Sequence, residues 1–93
     1  MKKKVDWHRQ GLIPALLYFQ NGGNYTGSVN NKGMREFRYK IGAADGKIRT
    51  ETWFGPFCYE KSRITGKADF PMDEEGRNSA IRWIGEQYEQ MIP

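Results

Sequence analysis

Arg38, Lys40, Lys47 and Arg49 fall within a dozen residues, with Trp53 close behind. Cations that can meet phosphates, beside an indole that can stack on a base, are the equipment of proteins that hold single strands or RNA. The other reactive types are too sparse for catalysis. His8 is the only histidine and Cys58 the only cysteine, they lie some fifty residues apart, and no third group is indicated to orient a base for a nucleophile. Asp73, Glu74 and Glu75 stand at the start of a helical pattern, where carboxylates match the helix dipole. One His and one Cys fall short of a zinc ligand set. Gly22-Gly23 lacks the spacing and the lysine of a phosphate loop. These residues predict a protein that is not an enzyme, with no catalytic residue, no metal and no cofactor.

Composition sets the frame for that binding chemistry. With 93 residues, 38% of them hydrophobic and 28% charged, the chain is expected to be one globular domain over 1–93, with residues 1–10 a flexible basic start. A lone cysteine supplies no internal disulfide, which suits a reducing cytoplasm. The net charge is +4 and unevenly spread: residues 1–49 hold ten Lys/Arg against three Asp/Glu, residues 50–93 five against eight. Such polarity presents a basic surface to nucleic acid, an anionic membrane or an acidic protein. The longest apolar run, Leu12 to Phe19, is interrupted by Pro14 and is far shorter than a membrane span of about 20 residues. Asp6, His8 and Arg9 break the approach to that run, so the start is not expected to be a signal peptide.

The elements that would carry the cations follow from periodicity and turn chemistry. Pro14 suits a first helical turn, and Ala15 to Phe19 runs into Asn21-Gly22-Gly23, a helix stop; the reading is a short helix, with a buried strand as the alternative. From Tyr25 to Phe54 the apolar period is two. A four-residue loop over Ala43–Gly46 sets Ile41 opposite Ile48, Tyr39 opposite Thr50 and Phe37 opposite Thr52. A three-residue turn at Asn31-Lys32-Gly33 then pairs Tyr25 with Tyr39. The expected fold is α+β: a three-stranded antiparallel meander over 25–30, 34–41 and 47–54, packed by a C-terminal helix. Residues 57–70 read as a packed connection with one helical turn at Cys58–Arg63. The helix has Asp73 as cap, a stripe of Ala80, Ile81, Ile84, Tyr88 and Met91, and a wet face of Asn78, Arg82, Glu86 and Glu89, with Trp83 at the core edge.

In that register Glu36, Arg38 and Lys40 point away from the helix, opposite Trp53, Glu51 and Arg49. Lys40 against Arg49, with Lys47 nearby, is a like-charge juxtaposition that a phosphate would relieve; near a hairpin tip, water would screen it instead. Reversing both to glutamate is expected to abolish nucleic-acid binding with little effect on the fold.

The order helix, three strands, helix resembles that of double-stranded-RNA-binding domains. The likeness stops at element order, because Asp73-Glu74-Glu75 stands where those domains place lysines. Phe70-Pro71-Met72-Asp73-Glu74-Glu75-Gly76-Arg77, then Ala80-Ile81-Arg82-Trp83-Ile84 and Tyr88, resembles the ends of small accessory proteins of bacterial phages and mobile elements. That resemblance implies a small accessory factor, a class that includes regulators of element transfer and inhibitors of host defence such as anti-CRISPR proteins. Two functions are therefore expected: binding of nucleic acid or nucleoprotein through Arg38, Lys40, Lys47, Arg49 and Trp53, or inhibition of a host machine by protein–protein contact.

Overall fold

The computed structural model describes residues 5–7, 12–30, 36–55 and 64–90. The elements are α1 (Leu16–Gln20), β1 (Asn24–Val29), β2 (Phe37–Ala44), β3 (Lys47–Phe54), β4 (Ile64–Pro71) and α2 (Glu74–Glu89). The four strands form one antiparallel sheet in the order β1-β2-β3-β4, and α2 packs across β3 and β4. Among the described residues, no helix is long and apolar enough to cross a membrane.

The apolar run after Pro14 is a helix, and its end shows why. Gly22 takes φ +85°, the Gly23 amide donates to the Tyr18 carbonyl and the Gly22 amide to that of Phe19. This glycine-terminated Schellman closure satisfies carbonyls that the helix leaves without partners. At the other end of the chain, Asp73 caps α2 by accepting from the Gly76 amide at 2.6 Å, and Glu74 and Glu75 follow in the first turn. Ala80, Ile81, Ile84 and Tyr88 are buried and Asn78, Arg82, Glu86 and Glu89 exposed, as the helical period requires. Trp83 is half-buried, its ring edge-on to Phe70.

The sheet has four strands where three are expected. The strand β4 occupies the stretch read as a connection. Gly66, Lys67, Ala68, Asp69 and Pro71 are all poor strand formers, so propensity argues against it. Pairing with β3 prevails, helped by hydrogen bonds from Thr50 Oγ1 to the Ala68 carbonyl (2.9 Å) and from Thr65 Oγ1 to the Thr52 carbonyl (3.0 Å). This added strand also removes the likeness in element order to double-stranded-RNA-binding domains. Both the helical turn expected at Cys58–Arg63 and the turn at Asn31-Lys32-Gly33 lie outside the described residues, as do His8 and Met91.

Both expected registers are off by two residues. β2 and β3 are joined by Asp45-Gly46 alone, with φ of 52° and 74°, so Ala44 pairs with Lys47, Ile41 with Thr50, Tyr39 with Thr52 and Phe37 with Phe54. Positive φ at both central residues defines the tight turn whose twist matches that of its strands, and Asp-Gly is among its preferred sequences. A four-residue loop forgoes that match. Likewise Tyr25 pairs with Ile41 and Val29 with Phe37. A slip of two keeps every side chain on its expected face and changes every partner.

The core lies between that sheet and α2: Phe37, Tyr39, Ile41, Ile48, Ile81, Ile84 and Tyr88 are each at most 1% exposed. Trp7 completes it, its ring meeting Phe37, Tyr39 and Tyr88 edge-on, while residues 1–4 and 8–10 of the expected flexible start lie outside the described residues. Two further bonds fasten the segment before α1: Tyr39 Oη donates to the Leu12 carbonyl at 2.6 Å and Arg77 Nε to that of Pro14 at 2.8 Å.

Burial, and to a lesser extent Tyr25, raises the Tyr39 phenol well above its ordinary value. A raised folded-state value means that stability is fully present below about pH 10, the unfolded phenol value, and is lost as pH climbs above it. Urea denaturation at stepped pH should therefore show a loss approaching about 1.4 kcal/mol per pH unit on the alkaline side. Tyr39→Phe should cost about 1 kcal/mol at neutral pH, through the lost hydrogen bond, and flatten the alkaline decline. An unchanged decline in Tyr39→Phe would place the titrating group elsewhere.

Candidate binding face

The sheet face turned away from α2 carries all five residues singled out in the sequence. Alternation places Arg38, Lys40, Lys47, Arg49 and Trp53 there, on the two central strands, joined by Lys67 and Asp69 from β4 and by Thr26 and Ser28 from β1. The grouping is as expected, and its internal pairing is different.

Lys40 does not oppose Arg49. It stands across from Glu51, which in turn pairs with Lys67, so one row reads Lys40, Glu51, Lys67. Arg49 stands between Gly42 and Asp69. Its Nε donates to Asp69 Oδ1 at 2.9 Å and its Nη2 to Oδ2 at 3.4 Å, a two-pronged contact, with Asp45 Oδ2 at 3.9 Å. That hydrogen bond holds the Asp69 carboxyl below its ordinary value and raises Arg49. Arg38 opposes Trp53 rather than Glu51, and its Nε donates to Glu36. The like-charge clash that called for an anion is absent from this register, and glutamates at 40 and 49 would face Glu51 and Asp69.

Trp53 is also not a stacking platform. It is 1% exposed although it points away from α2, and it belongs to no part of the core under that helix. Glu51, its neighbour on the same face, is 7% exposed. Beside them Gly42 is buried with the Asn24 side chain lying over it. The accessible part of the face is thus its charged margin: Lys47, Lys67 and Asp69 are exposed, and Arg38, Lys40 and Arg49 half-buried.

What results is a face of mixed sign over three strands, in which the buried Glu51 sits between Lys40 and Lys67 in one cross-strand row and Asp69 ends the next beside Arg49. It suits a partner that itself carries both signs and polar groups better than it suits a phosphate backbone, which offers one sign only. From the sequence Glu51 is assigned to Arg38 instead of Lys40, and Asp69 and Lys67 are not among the residues singled out, because β4 is not expected. The signal for them was the alternation of Ile64, Gly66, Ala68 and Phe70 with Thr65, Lys67 and Asp69. A concavity of about 790 Å³ lies elsewhere, between Val5–Trp7 and α2, and its rim of Asp6, Glu86 and Glu89 beside Arg82 includes none of the five residues.

No family model, no curated protein and no solved structure matches this chain.

Proposed function

We propose that this chain is a small non-enzymatic binding protein of a phage or mobile element, cytoplasmic in its host, that blocks or modulates a host protein machine, such as a defence complex, through the sheet face opposite α2. The observation that supports it most is the mixture of charge across β2, β3 and β4, with Trp53 buried on the same face. Rims of mixed polarity set orientation and on-rate in protein complexes.

Nucleic acid is the second reading. It is favoured by the excess of cations on this face, where Arg38, Lys40, Lys47, Arg49 and Lys67 stand with Glu36, Glu51 and Asp69, and by the pI of 9.3. The two readings separate on salt. Labelled single-stranded and duplex DNA and RNA, titrated by fluorescence anisotropy, should bind weakly, with log affinity falling against log salt no more steeply than about −2, as for two phosphates. A slope near about −4 with saturable binding at physiological salt would restore a four- or five-phosphate track and overturn the protein-partner reading.

A further inference from the structure

The two edges of the sheet are built differently. β4, at one edge, carries Lys67 and Asp69, ends in Pro71 and has an irregularity where Thr52 and Trp53 of β3 pair with Gly66 and Ile64. Charge, proline and a bulge are the devices by which edge strands discourage pairing with another chain. β1, at the other edge, has none of them. Asn-Tyr-Thr-Gly-Ser-Val contains no charge and no proline, and it pairs with β2 over six consecutive residues without a shift. Among the described residues, β2 is the only strand hydrogen-bonded to it.

Two more features lie at the start of that strand. The exposed large hydrophobic side chains of the described structure are Leu17 and Tyr18, 65% and 41% exposed, both on α1. Tyr18 is fixed there, its hydroxyl donating to the Asn24 carbonyl and its ring lying against Gly23. Beyond that one carbonyl the edge of β1 is open among the described residues, and it adjoins the exposed apolar pair.

We propose that β1 pairs antiparallel with β1 of a second copy of this chain, joining two four-stranded sheets across a two-fold axis. Charge selects a second copy as the occupant. The chain carries +4, its β2 and β3 cations face outward, and β1 is the strand of this sheet on which two such molecules meet without opposing like charges. The Gly23 carbonyl accepts from the Ala43 amide, so alternation turns the backbone groups of Asn24, Thr26 and Ser28 outward, and pairing centred on Thr26 sets Asn24 of one copy opposite Ser28 of the other. The Leu17 and Tyr18 side chains then border the far end of the partner's strand and lose exposed apolar surface. This pairing stands independently of the sheet-face reading, since it uses the edge and not the face.

Sedimentation equilibrium of the full chain from about 1 µM to 1 mM tests it. The mass should rise from 10.8 kDa toward twice that value. T26E/S28E should stay monomeric over the range while keeping its circular dichroism and melting midpoint, because Thr26 and Ser28 are exposed and stand opposite Lys40 and Arg38. N78E/Q90E, with the same two charges on exposed positions of α2 and its cap, should dimerise like the wild type. A wild-type monomer at every concentration overturns the proposal and leaves the edge to an extended segment of another protein. A dimer that persists in T26E/S28E overturns it as well.

Discussion

Trp7→Ala should lower the free energy of unfolding by about 3–5 kcal/mol, the range for deleting a buried tryptophan side chain. Its indole is 8% exposed and sits at the seam between sheet and helix, with ring centroids 6.0 Å from Phe37, 5.5 Å from Tyr39 and 5.6 Å from Tyr88, all near-perpendicular. Edge-to-face pairs of this kind add about 0.5–1.5 kcal/mol each to the area they bury. A domain of this size has only about 5–15 kcal/mol in hand, so the loss is a large share of the total. Guanidinium denaturation followed by circular dichroism measures it. Trp7→Phe, which retains an aromatic edge toward the same three rings, should cost clearly less. A loss under about 1 kcal/mol for Trp7→Ala would mean that residues 5–7 are not part of the core in solution.

Gly76→Ala should destabilise the fold by about 1–3 kcal/mol, the opposite sign from the usual effect of this substitution inside a helix. In an isolated helix alanine is favoured over glycine by about 1 kcal/mol. Here a methyl group at position 76 would run into the backbone carbonyl of Pro71. Neither side can yield easily. Asp73 holds the Gly76 amide from the cap, and Pro71 is fixed by its place opposite Lys47 at the end of β4. The Gly85 position differs in kind: a methyl there would meet Trp7 Cδ1 at 3.0 Å, a side-chain contact that a small ring shift relieves. The melting midpoint of Gly76→Ala should fall by about 4–24 °C, at about 4–8 °C per kcal/mol for a domain of this length. A rise would show that Pro71 and the first turn of α2 are not in close contact.

These two sites also mark how far the sequence could be read. α2 was legible, because its cap, first-turn acids and 3.6-residue stripe are all local signals. The neighbour over Gly85 could not be read: Trp7, a lone tryptophan among basic residues, has no period, and its burial depends on rings thirty or more residues away. The sheet was legible by face and not by partner. Alternation placed Phe37, Tyr39 and Ile41 inward and Arg38, Lys40 and Arg49 outward, whereas register depended on recognising that Asp45-Gly46 alone makes the turn. That one choice moved Lys40 from Arg49 to Glu51 and removed the electrostatic conflict on which the nucleic-acid site was built. β4 was hidden by poor strand formers whose pairing comes from Thr50, Thr52 and Thr65. Trp53 shows the remaining gap: its parity in the strand gave its direction correctly, while its burial depends on tertiary surroundings that parity does not describe.

The sheet face as the surface that engages a protein partner is tested most directly by affinity capture from a bacterial lysate with three baits: wild type, K47E/K67S, which alters two exposed lysines of that face, and N78E/Q90E on α2 and its cap. A protein recovered by the wild type should be recovered equally by the α2 variant and at least about tenfold less by K47E/K67S, as expected when rim charges guide association. A partner held undiminished by K47E/K67S, or lost instead through the α2 variant, would contradict the assignment of function to this face.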